Sequence, residues 1–453
     1  MNPWNKIYFY KMKKEKTKVA FTTLGCRTNQ NDTAEMQSLL EQDGFSIVPT
    51  GEIADVYVVN TCTVTQKSDY SSRLAVKKSL AINDKAMVVF TGCYAQLNPE
   101  DSAKLEGMDL VLGNANKLEI ADAIKKKFAS LENGSDETEI VMTDIHAPRS
   151  FKALPVSSFQ GKTKAFIKVQ TGCDEKCSFC TVVRARGKSI SDSRENILNN
   201  VACAVSAGYK EITLTGINLG TWGMDTSKPE SFSSLVRDIL KIKGDFRVRL
   251  SSINPMEIDG DLISMMAENS KICPHFHIPL QSGDDMILKR MRRNYNAQQY
   301  LDVIGRASER IANLALGADV IVGFPGESDS CFENTRKLIE QSPFTYLHAF
   351  SYSARQGTEA FDFKDNIPKS VKKERNRILT EIANQKSLKY RQGFLNKKST
   401  VLVESQRNRD GLLKGHTEHY IPIVIEGDDS LMNRLVPVNI KAVDSSQVSA
   451  CLA

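Results

Sequence analysis

The chain has 453 residues, of which 41% are hydrophobic and 25% charged, with a formal net charge of +6. That length predicts about three domains of roughly 150 residues each, and the ordinary composition excludes a disordered or low-complexity chain. No run approaches the roughly 18 apolar residues of a membrane-spanning helix, and the mild basic excess permits a nucleic-acid partner without requiring one.

Residues 1–17, "MNPWNKIYFYKMKKEKT", read as a basic extension. Their apolar core is too short for a signal peptide, which predicts a cytoplasmic chain with reduced thiols. Residues 18–130 alternate strands and helices: "KVAFTTLGC", "DTAEMQSLLEQDGF", "ADVYVVNTCTV", "KSDYSSRLAVKKSLAI", "AMVVFTGCYAQ" and "MDLVLGN". Such alternation predicts an N-terminal α/β domain built on a parallel sheet. Residues 131–160 are polar and carry Pro148 and Pro155, and they read as a linker.

A second α/β series occupies residues 161–395. Its candidate strands are "KAFIKVQTGC", "EITLTGIN", "FRVRLSSI", "HFHIPLQSG", "ALGADVIVGFPGE" and "TYLHAFSYS", with helices between them. This pattern predicts a full or partial α/β barrel. A basic helix trails it from Lys369 to Lys398, with ten Lys or Arg against Glu374 and Glu381. Residues 396–453 are short strands with turns and predict a small β-barrel.

The chemistry lies in the cysteines, of which there are ten. "TGCDEKCSFC" places Cys173, Cys177 and Cys180 after the first barrel strand. Thiolates in such a run hold iron–sulfur clusters, and three of them leave a fourth iron open. A zinc knuckle closed by a distant His or Cys is the competing reading. Cys26, Cys62 and Cys93 are far apart, yet each follows an apolar strand. Ligand sites form at the carboxyl ends of strands in parallel sheets, so these thiols are expected to share a second site. The alternative is three small buried residues. Cys203, Cys273, Cys331 and Cys451 match neither pattern and are expected to be structural.

With these residues in place, the chain resembles the methylthiotransferase family of radical S-adenosylmethionine enzymes. The likeness runs from about Lys18 to the end, through "TGCDEKCSFC", the three strand-end cysteines, "HFHIPLQSGDDMILKRMRRNY", "ADVIVGFPGES", "FSYSARQGTEA" and a last domain like a TRAM barrel. It departs at Val183, where the family would carry a proline, although Arg186 and Gly187 are kept. The resemblance implies two four-iron clusters. S-adenosylmethionine would chelate the open iron at Cys173, Cys177 and Cys180 and be cleaved to a 5′-deoxyadenosyl radical. The site at Cys26, Cys62 and Cys93 would carry the sulfur, and a second S-adenosylmethionine would methylate it. An electron donor of the flavodoxin or ferredoxin kind, a sulfur source and a tRNA anticodon stem-loop are the implied partners.

Contacts to S-adenosylmethionine are expected at Phe179, Gly216, Asn218, Gly323 and Glu327, each against a plainer reading as core, turn or loop. Family members act on tRNA adenosine 37 carrying an isopentenyl or threonylcarbamoyl group, or on a ribosomal-protein aspartate. "TLGCRTNQNDTAEM", "VVNTCTVTQKSD" and "TGCYAQ" resemble the threonylcarbamoyladenosine branch. Its pocket needs a cation for the substrate carboxylate, with Arg27, Arg186 and Arg355 as candidates. The basic helix and "LKRMRRNY" are expected to meet phosphates. Residues 399–453, with five Lys or Arg against seven acids, are not basic overall. A non-catalytic metal-containing RNA-binding module is the alternative of a different class, but it leaves the central barrel without a role.

Overall fold

The computed structural model describes residues 16–147, 149–156, 159, 161, 163–364 and 367–453. Of the basic extension, residues 1–15 lie outside the described residues. The chain forms two compact units. The first is the described part of Met1–Ser158 with Thr171–Asp174 and Cys180–Lys188; the second holds Phe159–Gln170, Glu175–Phe179 and Ser189–Ala453.

In the first unit β1 (Lys18–Thr23), β2 (Ser46–Val48), β3 (Val56–Thr61), β4 (Met87–Gly92), β5 (Leu110–Leu112) and β6 (Glu139–Val141) form one parallel sheet in the order β2-β1-β3-β4-β5-β6. Every residue of β3 and β4 is buried, because helices cover both faces. Val56, Val58, Met87 and Val89 join Met36 and Leu40 in one core. Val59, Val88 and Phe90 join Ala75 and Val76 in the other. The period of two sorts one strand's residues between the two layers.

The expected linker is corrected here. Glu139–Val141 pairs with β5 as the sheet's edge strand, and Ile140 and Val141 pack on the two cores. Ile145, Ala153 and Val156 are buried as well. The polar residues around them hid these apolar anchors.

The second unit contributes β7 (Ala165–Lys168), β10 (Glu211–Thr215), β11 (Arg247–Leu250), β12 (His275–His277), β13 (Ala315–Val322) and β14 (Tyr346–Ser351), with the two-residue strands β8 (Gln170–Thr171) and β9 (Ile190–Ser191) lying between β7 and β10 in sequence. The strands β11-β10-β7 and β12-β13-β14 are parallel sets. Isolated parallel bridges Val248↔Ile272 and Ser252↔His277 connect β11 with the β12 segment. The result is a partial α/β barrel.

The terminal strands β15 (Lys398–Arg407), β16 (Leu413–Thr417), β17 (Pro422–Ile425), β18 (Leu435–Val443) and β19 (Val448–Leu452) close a barrel in the order β15-β16-β17-β19-β18. Val401, Leu413, Ile423 and Val438 fill it. Two buried arginines dock it. Arg247 donates to the carbonyls of Thr400 at 2.9 Å and His416 at 2.8 Å, and Arg249 to that of Thr417 at 3.0 Å. Glu211 pairs with both guanidinium groups. Burial alone would raise the Glu211 carboxyl, but Arg249, Lys164 and Arg247 hold it well below the usual range.

Candidate metal centres and active site

In the first unit the three scattered cysteines lie at the carboxyl ends of neighbouring strands. Cys26 caps the helix Arg27–Gln42 after β1, Cys62 follows β3, and Cys93 opens the helix Cys93–Leu97 after β4. Glycines let these turns approach. Gly25 has φ +92°, and a Cβ there would lie 2.9 Å from the Cys62 sulfur. Gly92 has φ +97°, and its Cβ would lie 2.5 Å from the Thr61 backbone. The "GC" pairs of the sequence are thus a packing requirement. Burial, together with the charge of Cys93 and Cys26, pushes the Cys62 thiol up, so the three sulfurs interact.

Behind them sits an ion cluster. Arg186 donates to Asn29 Oδ1 at 2.5 Å and Asp32 Oδ2 at 2.8 Å, and Lys117 Nζ meets the same carboxylate oxygen at 2.7 Å. All three charged groups are buried. Two cations against one carboxylate leave positive charge beside Cys26 and Cys93, whose charges act on Arg186 after that of Asp32. Arg186 Nε, Asn60 Oδ1, Thr91 Oγ1 and Asn114 Oδ1 are buried without a hydrogen-bond partner among the described residues. Asn114 Nδ2 reaches the Cys93 sulfur at 3.8 Å. Three thiols, a buried positive charge and unspent polar atoms fit an anionic thiolate-ligated cluster. Arg186 is therefore committed within this unit, and as the expected cation for substrate it is corrected.

The loop of Cys173, Cys177 and Cys180 is tied at several points. Gly172, at φ +73°, lies where a Cβ would fall 1.8 Å from the Lys188 carbonyl oxygen, and Cys173 N donates to the Gly187 carbonyl at 3.1 Å. Ser178 N donates to the Met291 carbonyl at 3.1 Å, and its hydroxyl to the Arg290 carbonyl at 2.8 Å. Cys180 Sγ accepts from Val182 N at 3.4 Å. The segment holding Val183 is a short helix, Val182–Arg186. Cys177 Sγ accepts from Arg293 Nη1 at 3.2 Å. Arg293 also donates to Asn254 Oδ1 at 2.7 Å and to the Tyr295 hydroxyl at 3.2 Å. A guanidinium donating to a thiolate suits a cluster ligand.

Arg293 was hidden in "LKRMRRNY". In that stretch Arg290 Nε donates to the Pro325 carbonyl at 3.1 Å and Arg292 pairs with Glu359 at 2.7 Å, while Lys289 is exposed.

The expected cosubstrate contacts fare unequally. Phe179 packs edge-on against Phe324 at 6.4 Å in an apolar cluster. Gly216 lies against Gln170, whose Oε1 accepts from the backbone of Ile217 and Asn218. Asn218 is buried and accepts from Asn254 at 2.7 Å, on the same network as Arg293. Gly323, at φ +69°, makes room for the Lys372 stem, whose Cγ would lie 2.3 Å from an added Cβ. The Glu327 carboxylate accepts from Gly323 N at 2.7 Å and from Arg375 at 2.5 Å. Gly323 and Glu327 thus seat the basic helix Lys369–Gln392. Cys273 and Cys331 are buried in the second unit.

Residues 18–113 match the family described as Uncharacterized protein family UPF0004, and residues 167–339 match the Radical SAM superfamily. A relative from Aquifex aeolicus, "Threonylcarbamoyladenosine tRNA methylthiotransferase MtaB", is 39% identical over 410 residues, covering 90% of this chain and 97% of its own. One of the same name from Bacillus subtilis is 33% identical, with 93% of each chain covered.

The chain belongs to the MtaB-type methylthiotransferases.

As such it is a radical S-adenosylmethionine enzyme. A relative from Alkaliphilus oremlandii, "tRNA-2-methylthio-N(6)-dimethylallyladenosine synthase", is 33% identical, covering 93% of this chain and 90% of its own. Among solved structures, the radical S-adenosylmethionine methyltransferase TsrM from Kitasatospora setae shares the fold. Its TM-score is 0.53 at 13% identity, with 77% of each chain covered. Membership implies S-adenosylmethionine and a four-iron cluster, which the thiols of Cys173, Cys177 and Cys180 fit.

Proposed function

We propose that this methylthiotransferase inserts sulfur and a methyl group at carbon 2 of N6-threonylcarbamoyladenosine at position 37 of tRNA. The observation that carries the reading is the presence of two cysteine trios in one chain, one in a single loop and one at three strand ends. When bound, the cluster of the loop supplies the electron that cleaves S-adenosylmethionine. An aryl C–H bond offers a general base nothing to remove, so radical chemistry is the available route.

Cys26, Cys62 and Cys93 hold a second four-iron cluster that carries the sulfur, with Arg186 and Lys117 balancing its charge. Each turnover consumes two S-adenosylmethionine molecules. Arg293 holds Cys177 by its sulfur, and Phe179 anchors the loop in apolar packing. Asn218 joins this network through Asn254 and would contact the cosubstrate. An electron donor of the flavodoxin or ferredoxin kind and a separate sulfur source complete the cycle, in the cytoplasm where tRNA is processed. No described helix is long and apolar enough to cross a membrane.

The names of the relatives support the threonylcarbamoyl substrate, and the Alkaliphilus relative keeps the isopentenyl form as the second reading. Two anticodon stem-loops differing only in that decoration decide the matter. Turnover of the threonylcarbamoyl form alone is expected; turnover of the isopentenyl form alone overturns the substrate assignment and leaves the radical chemistry standing.

A further inference from the structure

Three metal-ligating side chains lie on adjacent barrel strands and have no part in either cysteine site. Asp319 on β13 is the register partner of His348 on β14. His277 on β12 is the partner of Gly317, two residues before Asp319. Residues two apart share a face of a sheet, so all three rise from one face. Ile321 is the next residue of β13 on that face, and it packs in the cluster that contains Phe179, the neighbour of Cys180. Asp319 therefore sits one pleat, about 7 Å, from Ile321, on the face that carries this cluster.

The local sequence builds this arrangement. A Cβ on Gly317 would fall 1.9 Å from the Tyr346 ring, so the glycine admits that ring over the sheet. The Tyr346 hydroxyl then meets His277 Nδ1 at 3.1 Å and His275 Nε2 at 2.8 Å. This fixes the His277 ring so that Nε2 faces Asp319 Oδ2 at 3.1 Å. When Nδ1–H donates to the tyrosine and the tyrosine to His275, Nε2 presents a lone pair to a carboxylate. In that tautomer a bound cation completes the contact between the lone pair and the carboxylate. The ligand atoms of His277, Asp319 and His348 all lie within 4.8 Å of one another.

We infer that His277, Asp319 and His348 hold a divalent first-row metal ion whose open positions take the carboxylate and hydroxyl of the substrate's threonylcarbamoyl group. Two imidazoles and one carboxylate suit zinc or ferrous iron and leave coordination positions free. Metal–nitrogen bonds of about 2.1 Å place donors roughly 3–3.5 Å apart. The His277–Asp319 pair meets that spacing, and the exposed His348 closes on it by rotating its side chain. The role assigned to the ion rests on the substrate reading above; the site itself does not. The ion supplies the cation that Arg186, held by Asp32, does not.

The test uses the full chain with its clusters reconstituted anaerobically. Protein is equilibrated with chelator-buffered zinc at micromolar concentration, and zinc and iron are counted per chain without RNA. The parent is expected to hold about one zinc more than His348→Ala or Asp319→Asn at equal iron content; equal zinc in all three overturns the site. His348 is exposed, so its variant is expected to keep the parent melting temperature, and Asp319→Asn preserves shape. In a second arm, binding of the two decorated stem-loops is compared. His348→Ala is expected to weaken the threonylcarbamoyl form about tenfold or more and the isopentenyl form less than about twofold. Equal loss, or none, overturns the ligand assignment whatever the zinc count. Turnover of the isopentenyl loop alone overturns the substrate reading and leaves the zinc result intact.

Discussion

The two cysteine trios reach the same donor set by opposite routes. Cys173, Cys177 and Cys180 come from one loop, so local chain geometry brings them together, and the fold only has to pin the loop through Gly172 and Ser178. Cys26, Cys62 and Cys93 come from three turns, and only the strand order β1-β3-β4 makes them neighbours. Each set is accompanied by an arginine, Arg186 fully buried and Arg293 partly so. Arg186 donates to oxygens of Asn29 and Asp32 and acts on the thiols through its charge, whereas Arg293 donates directly to the Cys177 sulfur. A site assembled from distant turns depends on unit stability; a site written into one loop depends on its local donors.

The largest expected effect separates the two sets by chemistry. Replacing Cys173, Cys177 and Cys180 with Ala should abolish formation of 5′-deoxyadenosine and remove about four irons per chain. Replacing Cys26, Cys62 and Cys93 instead should keep that cleavage while methylthio product on tRNA disappears, as nucleoside mass spectrometry would read. Retained product in the second variant would make those thiols structural.

Next in size is stability. Arg186→Gln leaves Asp32 paired with Lys117 but removes the hydrogen bonds to Asn29 and Asp32, and should destabilise the first unit by about 1–3 kcal/mol, measured by denaturant unfolding. Arg293→Gln should do less to unfolding and more to the electron. Losing a cation and an N–H donor at Cys177 should lower the reduction potential of the loop cluster. A tenfold loss in electron uptake would appear as about 59 mV for a one-electron couple, read by titration with electron paramagnetic resonance. An unchanged potential with a large stability loss would reverse the contrast between the two arginines.

The smallest effect belongs to RNA binding. On the helix Lys369–Gln392, Arg375 pairs inward with Glu327, Arg377 pairs with Glu374 and Glu381, and Lys386 donates to the Glu340 and Ser342 carbonyls. Lys369, Lys373 and Lys389 are exposed and are the better phosphate candidates. Changing these three to Glu should lower the slope of log K against log salt by about 0.7–0.9 for each phosphate that is no longer neutralised. The same change at Arg377 should leave the slope nearly unaltered, because its charge is already neutralised on the helix.

By itself the sequence determined much of this protein. Short-range patterns carried it: a three-cysteine loop, glycines before Cys26 and Cys93, strand–helix alternation, and a last run of short strands. These are legible because each depends on residues close in the chain, where spacing alone dictates geometry. Tertiary structure decided the rest. Glu139–Val141 became a strand because β5 offered it an edge, although its neighbours are polar. Within "LKRMRRNY", packing turned Arg293 toward a sulfur. Gly323 and Glu327 meet Lys372 and Arg375 of the basic helix, a contact no local pattern announces. The grouping of His277, Asp319 and His348 depends on the register of three strands, and no local pattern encodes it. Charge and donor identity can be read from the sequence, but which partner a buried charge meets follows from which segments share an interior, and only the packed chain sets that.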